Sequence, residues 1–335
     1  MNSTNRKYLL KYPLLVTGCS ILVVFGLIFA ICAGAKSISI QTIIDSLIHF
    51  DAENVDMQVI RNSRLPRAIS TALIGGFLGI SGALMQGVIR NSLAEPSLMG
   101  ISQGATLAVA CLFVSPTVFG MFGNTVAAFI GATISGLLVL AFSMKGARNM
   151  NMTRLLLAGT ALSTFFLSLA SVLALINNRS QELAFWVAGG FRAVTWDKVY
   201  VALGIGVVFL PLAFLLAKRI NIVSLGEDVA IGLGENPVKV RVYAILVLIP
   251  LSAVSVAIAG NIAFVGLIIP HIVRRMVGVD YRLILPFSFL FGSILLVYAD
   301  IVARLINAPY ETPIGLFTSI IGVPIFLYMI RKERV

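Results

Sequence analysis

Ten stretches of this chain are apolar over about the length a helix needs to cross a bilayer, and that removes most folds open to a sequence of this size. They cover residues 14–33, 68–89, 97–113, 119–144, 155–176, 199–217, 242–259, 264–277, 283–305 and 313–330. Lipid offers backbone groups no hydrogen-bond partners, so a spanning segment must satisfy its own N–H and C=O groups. Most are near the ~20 residues that a helix needs to cross the hydrocarbon. Hydrophobic residues make up 59% of the chain and charged ones 12%, a balance that fits a polytopic membrane protein and not a soluble core.

Basic residues set the expected topology. Segment 264–277 is short enough to be re-entrant, and the count depends on it. With ten crossings and the N-terminus inside, seventeen of the twenty-five Lys and Arg residues face the cytoplasm. If 264–277 did not cross, Arg274, Arg275, Arg282, Arg331 and Lys332 would move outside, against the positive-inside bias. The reading is an all-α polytopic membrane protein: one transmembrane domain over 1–335, ten helices, both termini cytoplasmic. The net charge of +11 could suggest nucleic acid, but the basic residues are scattered singly and in pairs between apolar runs, as lipid-facing topology requires. The N-terminus resembles a signal peptide, with Arg6, Lys7 and Lys11 before an apolar run and Ala33-Gly34-Ala35 after it. That run reaches a full membrane thickness, so an uncleaved first span is expected.

Several chemistries are not supported. Cys19, Cys32 and Cys111 sit in apolar context without a CxxC pair, and His49 and His271 are the only histidines, so no disulfide framework and no protein-bound metal are expected. There is no GxxxxGK[ST] phosphate loop, and no triad or carboxylate pair that could share one depth, so no catalytic residue is assigned. Span centres are nearly free of charge, unlike a proton-coupled carrier. Asp300 is the exception, with Arg304 four residues on. Gly75, Gly79, Ala83 and Gly87, and again Ala127, Gly131 and Ser135, form ridges of small residues that let helices approach closely.

Three connecting regions carry more information. Residues 36–67 read as polar and end in Arg61, Arg64 and Arg67. Residues 177–198 hold Trp186 and Trp196, which suit a membrane interface, and an apolar piece, 185–191, that could form a short helix dipping toward the bilayer. The third, 218–241, divides six spans from four. Leu225, Val229 and Leu233 recur there at i, i+4 and i+8, with Glu227 and Asp228 in the first turn and Gly232 and Gly234 able to end a helix. A short amphipathic helix and a plain connector are both open at this level.

Taken in order, Arg64-Leu65-Pro66-Arg67, Ser81-Gly82-Ala83-Leu84-Met85-Gln86, Asn91-Ser92-Leu93-Ala94-Glu95-Pro96, Phe264-Val265-Gly266, Ile269-Pro270-His271, Asp300-Ile301-Val302-Ala303-Arg304 and Glu311-Thr312-Pro313 resemble the FecCD family. These are permease subunits of bacterial importers for ferric siderophores, haem and cobalamin. The resemblance implies a FecCD-type permease fold in the cytoplasmic membrane, paired with a second permease subunit, identical or paralogous. Two cytoplasmic ATPase subunits would drive it, and an extracytoplasmic binding protein would feed it. The cargo most in keeping is a ferric siderophore, with haem or cobalamin as alternatives; iron would travel only inside its chelate, and no cofactor is implied. Residues 218–241 would hold the coupling helix, with Leu225, Gly226, Glu227, Val229, Ala230, Leu233 and Gly234 meeting the ATPase. Arg64, Arg67 and Arg304 would dock the binding protein, since guanidinium–carboxylate pairs are directional. The inner gate would lie at Asn151-Met152-Thr153, where Met152 and Thr153 would close the pathway. An ion-coupled secondary transporter and a membrane assembly protein without transport are the readings from other classes.

Overall fold

A computed structural model describes residues 3–34, 38–114, 123–144, 152–308 and 310–333, and among these no strand occurs. The helices in chain order are α1 (Ser3–Cys32), α2 (Ile40–Ile48), α3 (Val55–Val59), α4 (Leu65–Ile89), α5 (Ile101–Val114), α6 (Gly123–Met144) and α7 (Met152–Ile176). Then come α8 (Ser180–Ala188), α9 (Trp196–Ser224), α10 (Glu227–Gly232), α11 (Pro237–Ala259), α12 (Val265–Val277), α13 (Tyr281–Leu305) and α14 (Ile314–Glu333). A π-helical turn, Ile60–Arg64, joins α3 to α4, and a 3-10 turn, Pro96–Met99, precedes α5.

The ten apolar stretches are helical over most of their described length, with Ala33, Gly100, Phe264 and Pro313 outside the helices and 97–99 in the 3-10 turn; residues 119–122, and Ala35 beyond the first stretch, lie outside the described residues. By length and composition, seven of the described helices can cross a membrane. The three that fall short are α5, α14 and α12, and the 13 residues of α12 rise only about 20 Å against about 30 Å of hydrocarbon.

Burial orders the bundle. α4, α11 and α13 are mostly enclosed, whereas α1, α7 and α9 expose most of their apolar surface, as helices facing lipid or another membrane chain would. The small-residue ridges are the reason the inner helices meet so closely. A side-chain carbon on Gly75 would collide with the Gly292 carbonyl, one on Gly79 with the Ser288 carbonyl, and one on Gly131 with the Gly104 carbonyl. With no hydrophobic effect between helices in lipid, such backbone approach supplies dispersion contacts that larger residues would prevent.

The connecting regions are more ordered than their composition suggested. Residues 36–67, read as polar, hold α2, whose Ile40, Ile44 and Ile48 form an exposed apolar stripe, and α3, capped by the Asn54 side chain. Of the piece expected to form a short helix, residues 185–188 are the last turn of α8, and 189–191 lie beyond its end at Gly189. Trp196 does more than face an interface: its indole N–H donates to the Arg61 carbonyl at 2.8 Å, tying α9 to the π turn.

Candidate functional site at two ends of the bundle

α13 and α4 run between two clusters of functional candidates. At one end of α13 lie Asp300 and Arg304. At the other, Asn221 near the end of α9 donates to Asp280 and accepts from the Tyr281 N–H. The 25 residues of α13 separate these ends by about 37 Å.

At the first end the three arginines expected to dock a partner are drawn into the protein. Arg64 is almost fully buried and donates to the Ile31 and Cys32 carbonyls, both at 2.9 Å. Arg304 donates to Ala33 and Ala30, both at 3.1 Å. The last carbonyls of a helix have no partner within it, so two cations now satisfy and electrostatically complement the end of α1. Arg67 lies between two acids: its Nη2 is 2.9 Å from Asp300 Oδ1, and its Nη1 donates to Glu311. Asp300, 1% exposed, also pairs with Arg304 at 3.0 Å, the i,i+4 contact anticipated from sequence. Glu311 is the accessible acid of the set and lies 3.8 Å from Arg192, whose guanidinium stacks over the Phe185 ring. Sequence reasoning picked the arginines from a motif and missed Glu311 and Arg192, because nothing in the spacing links positions so far apart in the chain.

The opposite end behaves differently. α10 covers Glu227–Gly232, so Glu227 and Asp228 do occupy its first turn. Gly226 has φ 132° and ψ 157°, a conformation open essentially to glycine alone. The helix stops in a Schellman pattern: the Glu235 N–H donates to the Ala230 carbonyl and the Gly234 N–H to that of Ile231, with Gly234 at φ 82°. Ala230 is fully buried against the bundle, whereas Leu225, Val229 and Leu233 are 64%, 47% and 61% exposed, and Ile231 is exposed as well. The three residues read as a stripe are exposed, but they do not share one helix: Leu225 caps α9, Gly226 breaks the chain, Val229 lies in α10 and Leu233 caps it. Together they form an apolar surface without cover among the described residues. What fixes its attitude was not foreseen. Arg241, itself buried, reaches Glu227 at 2.6 Å and donates from Nε to the Val88 carbonyl at the end of α4. Arg219 and Glu235 add a pair at 3.7 Å.

Of the residues expected to form a gate, Asn151 and the Met152 side chain lie outside the described residues, and Thr153 is exposed in the first turn of α7. Thr160, Thr164, Ser168 and Ser171 follow on the same face, all exposed. Thr160, Thr164 and Ser171 donate to carbonyls of their own helix, which leaves oxygen lone pairs facing outward. Such a stripe suits a wetted wall or a contact with another membrane helix. Among the described residues, no group of three or more His, Cys, Asp or Glu side chains could hold a metal ion.

Comparison with known proteins fits this architecture. The FecCD transport family matches residues 22–332. The chain is 41% identical over 331 residues to the iron(3+)-hydroxamate import system permease protein FhuB of Bacillus subtilis, covering 99% of this chain and 86% of that one. It is 38% identical to the iron-uptake system permease protein FeuB of the same organism, covering 93% of each. A solved structure described as an inward-facing conformation of a metal-chelate type ABC transporter superposes with a TM-score of 0.84 at 30% identity, covering 96% of this chain and all of that one. Its relatives are permease proteins, membrane transport components and not enzymes. The chain is an integral membrane protein and belongs to the FecCD transport family.

Proposed function

We propose that this chain is the transmembrane permease of an ATP-binding-cassette importer that carries a ferric siderophore, of the hydroxamate class, across the cytoplasmic membrane of a bacterium. In this reading ten helices cross, both termini are cytoplasmic, and the chain works beside a second permease subunit. Two ATPase subunits drive it and an extracytoplasmic binding protein delivers the chelate. The observation that carries the reading is the α10 region: a short helix on a rigid mount, presenting Leu225, Val229, Ile231 and Leu233 outward at one end of a membrane bundle. An exposed apolar stripe of this kind buries itself against a partner, and a chain without a phosphate loop takes ATP energy only through one. The hydroxamate class follows the similarity to the Bacillus subtilis permease.

The hydroxyl face of α7 supplies the pathway wall. Iron in a siderophore is already chelated, so the wall needs weak, replaceable contacts, and threonine and serine oxygens provide them. Thr153 stands at the α10 end of that face and, with Met152, closes it. Docking of the binding protein involves Arg67 once an acidic partner competes with Glu311, the accessible acid on it. Arg64 and Arg304 hold the mount on which this exchange occurs.

The test is uptake into liposomes holding the complete complex. Radiolabelled ferric hydroxamate should enter only with binding protein outside and ATP at the ATPase face. Uptake that follows an imposed proton gradient and ignores inactivation of the ATPase would overturn the proposal in favour of an ion-coupled carrier.

A further inference from the structure

Two interruptions of helical structure meet inside the bundle. α4 ends at Arg90 with φ 58°, and the chain returns through Glu95 into the Pro96–Met99 turn. α11 ends at Gly260 with φ 67°, and Phe264, with φ 71°, begins α12. The two are joined by a capping bond across the fold: Glu95 Oε1 accepts from the Phe264 N–H at 2.9 Å. That N–H is one of those a helix leaves unpaired at its start, and a carboxylate there also complements the dipole. Ser97 bonds to the same carboxylate.

Between the interruptions lies a cleft of about 20 Å³ lined by Glu95, Ser97, Ser102, Ser252 and Ser255 with apolar neighbours such as Leu78. Among the described residues its lining is unevenly satisfied. The Ser255 hydroxyl donates to the Leu251 carbonyl. The Ser252 hydroxyl, on the same helix and 2% exposed, has no hydrogen-bond partner in the protein. A buried hydroxyl without a partner is costly, so such groups are normally satisfied. A cleft holds one water once about 10–15 Å³ is open to it and two to four polar groups surround it. This one meets the size, and the Ser252 hydroxyl and the Glu95 carboxyl meet the chemistry.

We propose that the cleft is a binding site for a single ordered water, which bridges the Ser252 hydroxyl to the Glu95 carboxyl and so joins α11 to the acid that caps α12. The water completes the polar contacts at the place where both interrupted segments cross the bundle. It does not depend on the transport reading, because any assembly built on this fold would need the same junction satisfied.

Two measurements on the full chain in its complex test it. A density map fine enough to resolve waters should show one peak about 2.6–3.2 Å from both Ser252 Oγ and a Glu95 oxygen. The proposal fails if the cleft is dry and Ser252 instead bonds back to the Leu248 carbonyl one turn earlier. It fails equally if the peak has shorter contacts and thermal stability rises in sodium chloride over choline chloride, which would make the occupant a cation. The second measurement reads a sign. Ser252→Ala should lower the Tm by about 2–4 °C if the hydroxyl holds a water. If the hydroxyl has no partner at all, its removal should leave the Tm unchanged or raise it.

Discussion

The two ends of the bundle hold their charges and their apolar residues in opposite ways. At the Asp300 end, four charged side chains are folded inward and a fifth, Glu311, lies at the surface: Arg64 and Arg304 on the last carbonyls of α1, Arg67 between Asp300 and Glu311. At the α10 end the charges serve as brackets, Glu227 to Arg241 and Glu235 to Arg219, and the apolar residues are the ones left outside. The first end is satisfied by its own chain. The second is satisfied only as a mount, and its Leu225, Val229 and Leu233 remain without cover among the described residues. A surface of the second kind calls for a partner, while one of the first kind can take a partner only by exchanging one bond for another.

The sharpest way to break this contrast is to charge the uncovered stripe. Val229→Asp with Leu233→Asp should abolish copurification of the ATPase and leave binding-protein capture intact, because burying a carboxylate in an apolar contact is costly. If the ATPase still copurifies, the stripe is not its seat. Next comes the satisfied end. Arg67→Ala leaves Asp300, 1% exposed, with Arg304 alone and should cost about 1–3 kcal/mol, read as a lowered Tm and reduced yield of the complex. A surface cation would cost far less, so a change under about 1 kcal/mol would show the cluster to be looser than described.

Gly226→Ala probes the mount. Its φ of 132° should make alanine cost about 1–3 kcal/mol of local strain, enough to re-aim α10, and transport per ATP hydrolysed should fall more than ATPase binding does. Arg241→Met acts on the same geometry from the other side. It frees Glu227 and the Val88 carbonyl together, and ATP hydrolysis should continue with less uptake. The smallest effect is expected from Glu311→Gln, which removes an exposed pair worth about 0–1 kcal/mol. Its value lies in the sign: freeing Arg67 should tighten binding-protein capture if that arginine docks, and leave it unchanged if Arg67 is only internal.

Much of this was legible in the sequence, and unevenly so. The helices and the small-residue ridges could be read because lipid imposes one rule on every span and a glycine ridge has one geometric use. The short helix around Val229 could be read because periodicity is local, whereas the break at Gly226 that leaves Leu225 on α9 could not. The arginine cluster could not, since motif position says nothing about which acid a guanidinium meets. Arg67 finds Asp300 and Glu311 more than two hundred residues away, and only the fold brings them together. The exposed hydroxyl face of α7 was visible as threonines and serines, yet its meaning depended on knowing that this helix is left largely uncovered. Arg241 looked like one more cytoplasmic charge until its burial placed it beneath α10.

The most direct test is a crosslink from the uncovered stripe. In a background with the native cysteines replaced, Val229→Cys and, as a control at the other end, Glu311→Cys would be treated with a short thiol-reactive crosslinker in membranes containing the complete complex. The account predicts a product joining Val229→Cys to the ATPase subunit and none joining Glu311→Cys to it. A crosslink to the binding protein from Val229→Cys, or to the ATPase from Glu311→Cys, would contradict it.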